Sequence, residues 1–149
     1  MRVIVWTLCA AMMATSAAAK PLQVVGVTKS AMSILDRGTV HISGEHMEGW
    51  LFQVFEKDIR NAAYVRQRLT ADCSGKRIRF DEVEAFADDG SLVRAGKYAN
   101  PTWEPAGDDV AGGEWLKAIC GPPNGIQMPI DFIPETFVPT AREQMKAAD

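Results

Sequence analysis

Apolar and polar positions alternate along most of this chain with the two-residue period of strands, not the 3.6-residue period of helices. Leu22–Val27 forms a first strand. Met32–Leu35 continues or pairs with it before a turn at Asp36-Arg37-Gly38, and Thr39–Ile42 is a short β-branched segment. Ser43-Gly44-Glu45 is a turn into the strongly apolar strand Gly49–Phe55, with Trp50, Phe52 and Val54 on one face and Leu51 and Phe55 on the other. From Tyr64 to Cys73 the alternation is clearer. Val65, Leu69, Ala71 and Cys73 face one way, and Tyr64, Arg66, Arg68, Thr70 and Asp72 the other. Ser74-Gly75 and Asp88-Asp89-Gly90 are hairpin turns, so Tyr64–Cys73, Lys76–Ala87 and Ser91–Tyr98 form a three-strand meander.

The period then changes. Pro101, Pro105 and Gly107 break the strand pattern, and Asp108 is placed to cap a helix over Val110–Ile119. Ala111, Trp115 and Ile119 recur at four-residue spacing, with Leu116 and Cys120 alongside; Gly112 and Gly113 weaken this helix. Beyond Gly121, a proline-rich stretch carries Ile126, Ile130, Phe132, Ile133, Phe137 and Val138. It is too apolar for a free linker and is expected to lie extended against the domain or a partner, with a short helix over Thr140–Ala148. The chain thus divides into residues 1–19, a domain at 20–120 and a C-terminal extension at 121–149. The fold class is α+β: an antiparallel sheet, a short C-terminal helix and a proline-rich tail.

The first nineteen residues change how the cysteines are read. Arg2, the short apolar run Val3–Met13 and the small residues Ser16–Ala19 form an export signal cleaved near Ala19/Lys20. Cys9 follows Trp6-Thr7-Leu8, which fits a lipidation site poorly, and it leaves with the signal. The mature chain then holds two cysteines in an oxidising compartment, read as a bacterial periplasm or the cell exterior. Cys73 and Cys120 are expected to be bonded, tethering the helix to the sheet and closing a loop of about 46 residues.

Net charge is −3, and loss of Arg2 makes the mature chain more acidic, which argues against nucleic acid as a partner. The charge is unevenly spread. Lys57–Arg79 is basic and Asp81–Glu114 strongly acidic. Tyr64, Arg66 and Arg68 share a strand face, and Lys76, Arg77 and Arg79 follow on the next strand. These six residues are the candidate partner-binding set, with an anionic group as the chemistry they fit. The alternative reading is a solvated face beside an acidic edge.

Catalytic chemistry is sparse. His41, Glu45, His46 and Glu48 are the one cluster resembling metal ligands, and their spacing matches no zinc motif; two exposed turn histidines account for them. The chain lacks a Gly-x-Ser-x-Gly elbow, a phosphate loop, a Cys-x-x-Cys pair and a His-Glu-x-x-His motif. No catalytic residue and no cofactor is expected. A small metal-dependent or other periplasmic enzyme using His41 and His46 is the rival reading. Trp50, Trp103 and Trp115 are read as core anchors.

Ser33-Ile34-Leu35-Asp36, Gly49–Phe55, Thr70-Ala71-Asp72-Cys73, Arg77-Ile78-Arg79, Asp89-Gly90-Ser91 and Trp103-Glu104-Pro105-Ala106 occur in this order, before a short helix ending at Cys120. In this order the chain resembles the surface-adhesin protein E-like family of small exported bacterial proteins over Leu22–Cys120. The resemblance implies an antiparallel sheet with a C-terminal helix tied to it through Cys73–Cys120, and a non-enzymatic role in the cell envelope. It also implies an adhesin-like or structural module whose partner is a protein, a second copy of the chain included. The absence of a lipidation cysteine favours a soluble envelope component.

Overall fold

A computed structural model describes residues 21–108, 112–123, 127–128 and 132–148. The segment read as an export signal, with Cys9 and the expected cleavage site, lies outside the described residues, as do Val110–Ala111, Ile126 and Ile130. The strands are β1 (Leu22–Val27), β2 (Ala31–Ser43), β3 (His46–Ile59), β4 (Ala62–Asp72), β5 (Arg77–Phe86), β6 (Leu92–Lys97), β7 (Glu104–Pro105) and β8 (Gln127–Met128). The helices are α1 (Gly113–Cys120) and α2 (Pro134–Lys146). All strand pairs are antiparallel, in the order β6-β5-β4-β3-β2-β1-β8, with the short β7 beside β5.

Three turns set this meander. Gly44, at φ 63°, joins Ser43 to its pairing partner His46. Arg60 and Asn61, both at positive φ, join Ile59 to Ala62, the backbone shape that suits a two-residue hairpin. At Asp72–Arg77 the turn is longer, and Asp72 organises it by accepting from the Ser74 hydroxyl and the Gly75 amide.

The expected turn at Asp36-Arg37-Gly38 is instead an irregularity inside one continuous strand, β2. Local side-chain bonds replace the missing ladder bonds. Asp36 accepts from the Gly38 amide, the Thr39 hydroxyl donates to the Asp36 carbonyl, and that hydroxyl accepts from the Trp50 amide across the ladder. Turn-forming residue types satisfy the backbone here without reversing the chain.

Because β2, β3 and β4 carry apolar residues at both parities, the sheet has a core on each face. On one face Leu35, Leu51, Leu69, Ala71 and Ile78 pack under α1, through Leu116, Ala118 and Ile119. On the other, Leu22, Met32, Ile34, Phe52, Val54 and Tyr64 pack under α2, through Phe137, Val138, Ala141 and Met145. The sheet is therefore the middle of three layers.

Helix α1 begins at Gly113, and Asp108 does not cap it: Gly112, at φ 93°, is the N-cap residue and Asp108 pairs with Lys117 at 3.0 Å. A side chain at Gly112 would collide with Ile78, so the glycine permits close packing of the helix start on the sheet. The tail lies extended against the domain, as expected, where Gln127–Met128 adds a strand to β1. The terminal helix, however, starts at Pro134 rather than Thr140. Pro134 at the first helical position explains the early start, and Pro139 is accommodated within the helix.

Candidate functional site

Alternate residues of three neighbouring strands build one exposed surface. On β4, Arg66, Arg68 and Thr70 continue the face that begins with Tyr64; opposite them lie Phe52, Trp50 and Glu48 on β3, and Glu84, Glu82 and Arg79 on β5. At the Tyr64 end this face is apolar and covered by α2. Toward the Ser43–His46 turn it becomes charged and aromatic, with Arg66, Arg68 and Arg77 side chains 37, 40 and 47% exposed.

Each arginine on this face is already paired. Arg66 Nε donates to Glu84 Oε2 at 2.9 Å, and its guanidinium carbon sits 4.5 Å from the Trp50 ring centre. Arg68 Nη1 donates to Glu82 at 2.8 Å and its Nε lies 3.5 Å from Glu48. Arg77 Nε donates to Asp72 at 2.8 Å. Arg79 Nε lies 3.0 Å from Asp81, a charge contact without hydrogen-bond alignment. Asp81 reaches this position because it is the extra residue of a bulge between the pairs Arg68–Glu82 and Leu69–Phe80, where it also accepts from the Thr70 hydroxyl.

Trp103 folds over the edge of this surface. Its ring lies 4.9 and 4.8 Å from the guanidinium carbons of Arg77 and Arg79, and 5.0 Å from the His46 ring. Trp50 and Trp103 are thus half-buried partners of cations, not core anchors, whereas Trp115, half-buried and edge-on to Phe80, packs against the core under α1 as expected. The indole rings pack against flat guanidinium groups, so neither partner needs full burial.

Among the six candidate residues, Arg66, Arg68, Arg77 and Arg79 come together on this face. Tyr64 does not join them in solvent: it is 4% exposed, stacked on Phe86 at 5.0 Å and tilted against Phe132 at 4.9 Å. Burial pushes its phenol pKa up to about 12. Lys76 lies in the β4–β5 turn, not on a strand, at a cavity of about 450 Å³ also lined by the two disulfide cysteines, Leu116 and Lys117.

Cys73 and Cys120 form the disulfide, with Cα atoms 5.8 Å apart and 47 positions apart in sequence. Cys73 lies just past β4, in the exposed turn and not on an apolar strand face. The bond therefore ties the end of α1 to the β4–β5 turn. Arg37 makes a second tie, donating to the carbonyls of Ala118 and Gly121 at the same end of the helix. Partial burial lowers its pKa.

The histidines sit in strands beside the Ser43–His46 turn. His41 is exposed and approaches Glu48 at 3.9 Å, while His46 is half-buried under Trp103. Among the described residues, no three His, Cys, Asp or Glu side chains are grouped to hold a metal ion. No described helix is long and apolar enough to cross a membrane.

Residues 22–121 match the family described as surface-adhesin protein E. The chain belongs to the surface-adhesin protein E family. That match spans β1 to β7, α1 and both cysteines, and stops before β8 and α2. Membership in this family supports an adhesin-like, non-enzymatic role and a secreted or surface location, and the rival enzyme reading gains no support. No curated protein matches the chain. Among solved structures, Haemophilus influenzae protein E is similar at 9% identity, covering 68% of this chain and 83% of that one, with a TM-score of 0.48.

The pairing of arginines with acids was within reach of the sequence. Arg66-Gln67-Arg68 and Glu82-Val83-Glu84 repeat charge with a period of two on the two arms of one hairpin, so a near-symmetric register brings them face to face. The part played by Trp103 depends on a loop folding back over the sheet, and no local pattern announces it.

Proposed function

We propose that this chain is an exported binding module of the bacterial envelope, adhesin-like in function, whose partner docks on the surface formed by Trp50, Trp103, Arg66, Arg68, Arg77 and Arg79. The observation that carries this reading is the uncovered ladder of guanidinium groups interleaved with indole rings, in a chain whose family is named for surface adhesion. Aromatic and arginine side chains dominate protein-contact energetics. A partner's carboxylate or sulfate groups must displace Glu84, Glu82, Glu48 and Asp72 from the arginines, so engagement is weak and salt-sensitive. Lys76 lies at the cavity beside Lys117 and the disulfide and is not part of this surface.

Heparin, as a sulfated probe, tests this. The mature protein should be retained at low salt and released as salt rises, and Arg66→Gln with Arg68→Gln should release it earlier. Retention that ignores both the substitutions and the salt would show this face to be merely solvated. Metal analysis of the purified protein checks the enzyme alternative: a stoichiometric metal lost on His41→Ala or His46→Ala would revive it.

A further inference from the structure

The sheet face under α1 continues beyond the helix. Past Leu35 and Leu51, which lie beneath α1, the same face carries Ser33 and Gln53, directly paired across β2 and β3. There a cavity of about 280 Å³ opens between β1, β2, β3 and the start of α1, with Trp115 on one wall.

The polar groups that line it have bonding capacity to spare. Ser33 is only 7% exposed, and its hydroxyl has no hydrogen-bond partner among the described residues. Gln53 Oε1 accepts from Gln67 Nε2 at 3.0 Å, which leaves the Gln53 amide nitrogen as a donor without a partner among the described residues. A hydroxyl this buried is normally paired, so the cavity suits a polar ligand and not an apolar one. The backbone makes the room. β1 carries an extra residue between the pairs Val24–Ile34 and Gly26–Ser33, a bulge that re-aims the strand opposite Ser33. A Cβ on Gly26 would meet nothing within 4 Å, so a side chain there would stand in the cavity.

Asp108 and Glu114 lie at the mouth, and both reach Lys117 Nζ, at 3.0 and 3.2 Å. Two carboxylates thus share one ammonium. The surplus negative charge repels an anion, and Lys117 already fills the place that a ligand's ammonium would take.

We propose that this cavity is a saccharide site that takes one neutral sugar residue. A sugar ring brings hydroxyls that both donate and accept, for Ser33, Gln53 and the two carboxylates, and an apolar C–H face for the Trp115 indole. So few contacts make binding weak, with a dissociation constant on the order of 1 mM. The site lies on the opposite face of the sheet from Arg66 and Arg68 and does not rest on the binding surface proposed above.

Saturation-transfer difference NMR of the mature protein with glucose, galactose, mannose and N-acetylglucosamine tests this. At least one sugar should receive saturation. Ser33→Ala and Gln53→Met should each weaken its binding by about tenfold. Ser33→Ala should leave the melting temperature unchanged, because its hydroxyl has no protein partner to lose. Gly26→Leu should abolish the signal by filling the cavity. The disaccharide of the bound sugar separates two sources: transfer to it marks a residue of a glycan chain, and its failure to bind marks a free monosaccharide. No transfer to any of the four sugars overturns the proposal. So does transfer that Gly26→Leu and Ser33→Ala leave unchanged, which would place the sugar elsewhere. Neither result bears on heparin retention by the arginine face.

Discussion

The guanidinium of Arg66 lies 4.5 Å over the ring of Trp50 while donating to Glu84 on the strand to its other side. One side chain thus couples β3, β4 and β5 across the exposed part of the sheet. Both contacts are partly open to water, which limits their strength. The cation–π contact is expected to contribute about 0.5–1 kcal/mol, and the ion pair no more than that. A double-mutant cycle with Arg66→Gln and Trp50→Leu, read by urea unfolding, should give a coupling of this size. A coupling near zero would mean that the stacking does not persist in solution.

Cys73 and Cys120 make a much larger contribution. The chain-entropy model gives about 4 kcal/mol for a loop of this length. Arg37 holds the same end of α1 by hydrogen bonds alone and cannot restrict the unfolded chain. Cys120→Ala should therefore lower the melting temperature by roughly 10 °C or more under oxidising conditions. Changing His41 or His46 to Ala should cost far less. Equal losses would point to a role for the histidines beyond their contacts with Glu48 and Trp103.

The tail beyond the family match is part of the core. Phe137, 8% exposed, and the fully buried Val138 and Met145 cover Ile34, Phe52 and Val54. Arg142 fastens the helix by donating to the Phe55 carbonyl at 3.0 Å and pairing with Asp58. Phe137→Ala should cost about 3 kcal/mol, as for other buried aromatic truncations. Ending the chain at Gly121 should expose this apolar face, and the product should bind a hydrophobic dye. A truncated protein as stable as the parent, with no dye binding, would mean that α2 is dispensable.

The sequence and the structure agree best where alternation is strong and turns are short. β1, the β4–β5–β6 meander, the Asp88–Gly90 turn and the disulfide are all legible because each depends on neighbouring residues or on cysteine count. The departures share a physical cause, which is long-range packing. Asp36–Gly38 is composed like a turn but is straightened by pairing with β3 and by Arg37 reaching for α1. Helix α2 starts early because a second apolar sheet face was there to receive Phe137 and Val138; the mixed parity of Ile34-Leu35 and Leu51-Phe52 carried that information. Likewise, the local basic charge of Lys57–Arg79 is offset in space by acids of the adjacent strands.

Asp72 provides a pH-dependent test of the β4–β5 turn. Its carboxylate accepts from the Gly75 amide, the Ser74 hydroxyl and Arg77 Nε, and these bonds hold its pKa down to about 2. All three favour the ionised form, so the folded protein binds this proton less readily than the unfolded chain does. Its stabilisation is complete above the ordinary carboxylate pKa of about 4 and is lost as pH falls from there toward 2. Asp72→Asn keeps the size of the side chain and removes the titration. Urea unfolding at several pH values should show the parent more stable than the variant at neutral pH. The gap should narrow below about pH 4 and nearly close by about pH 2. A gap that stays constant across this range would mean that Asp72 supports the turn through shape rather than charge.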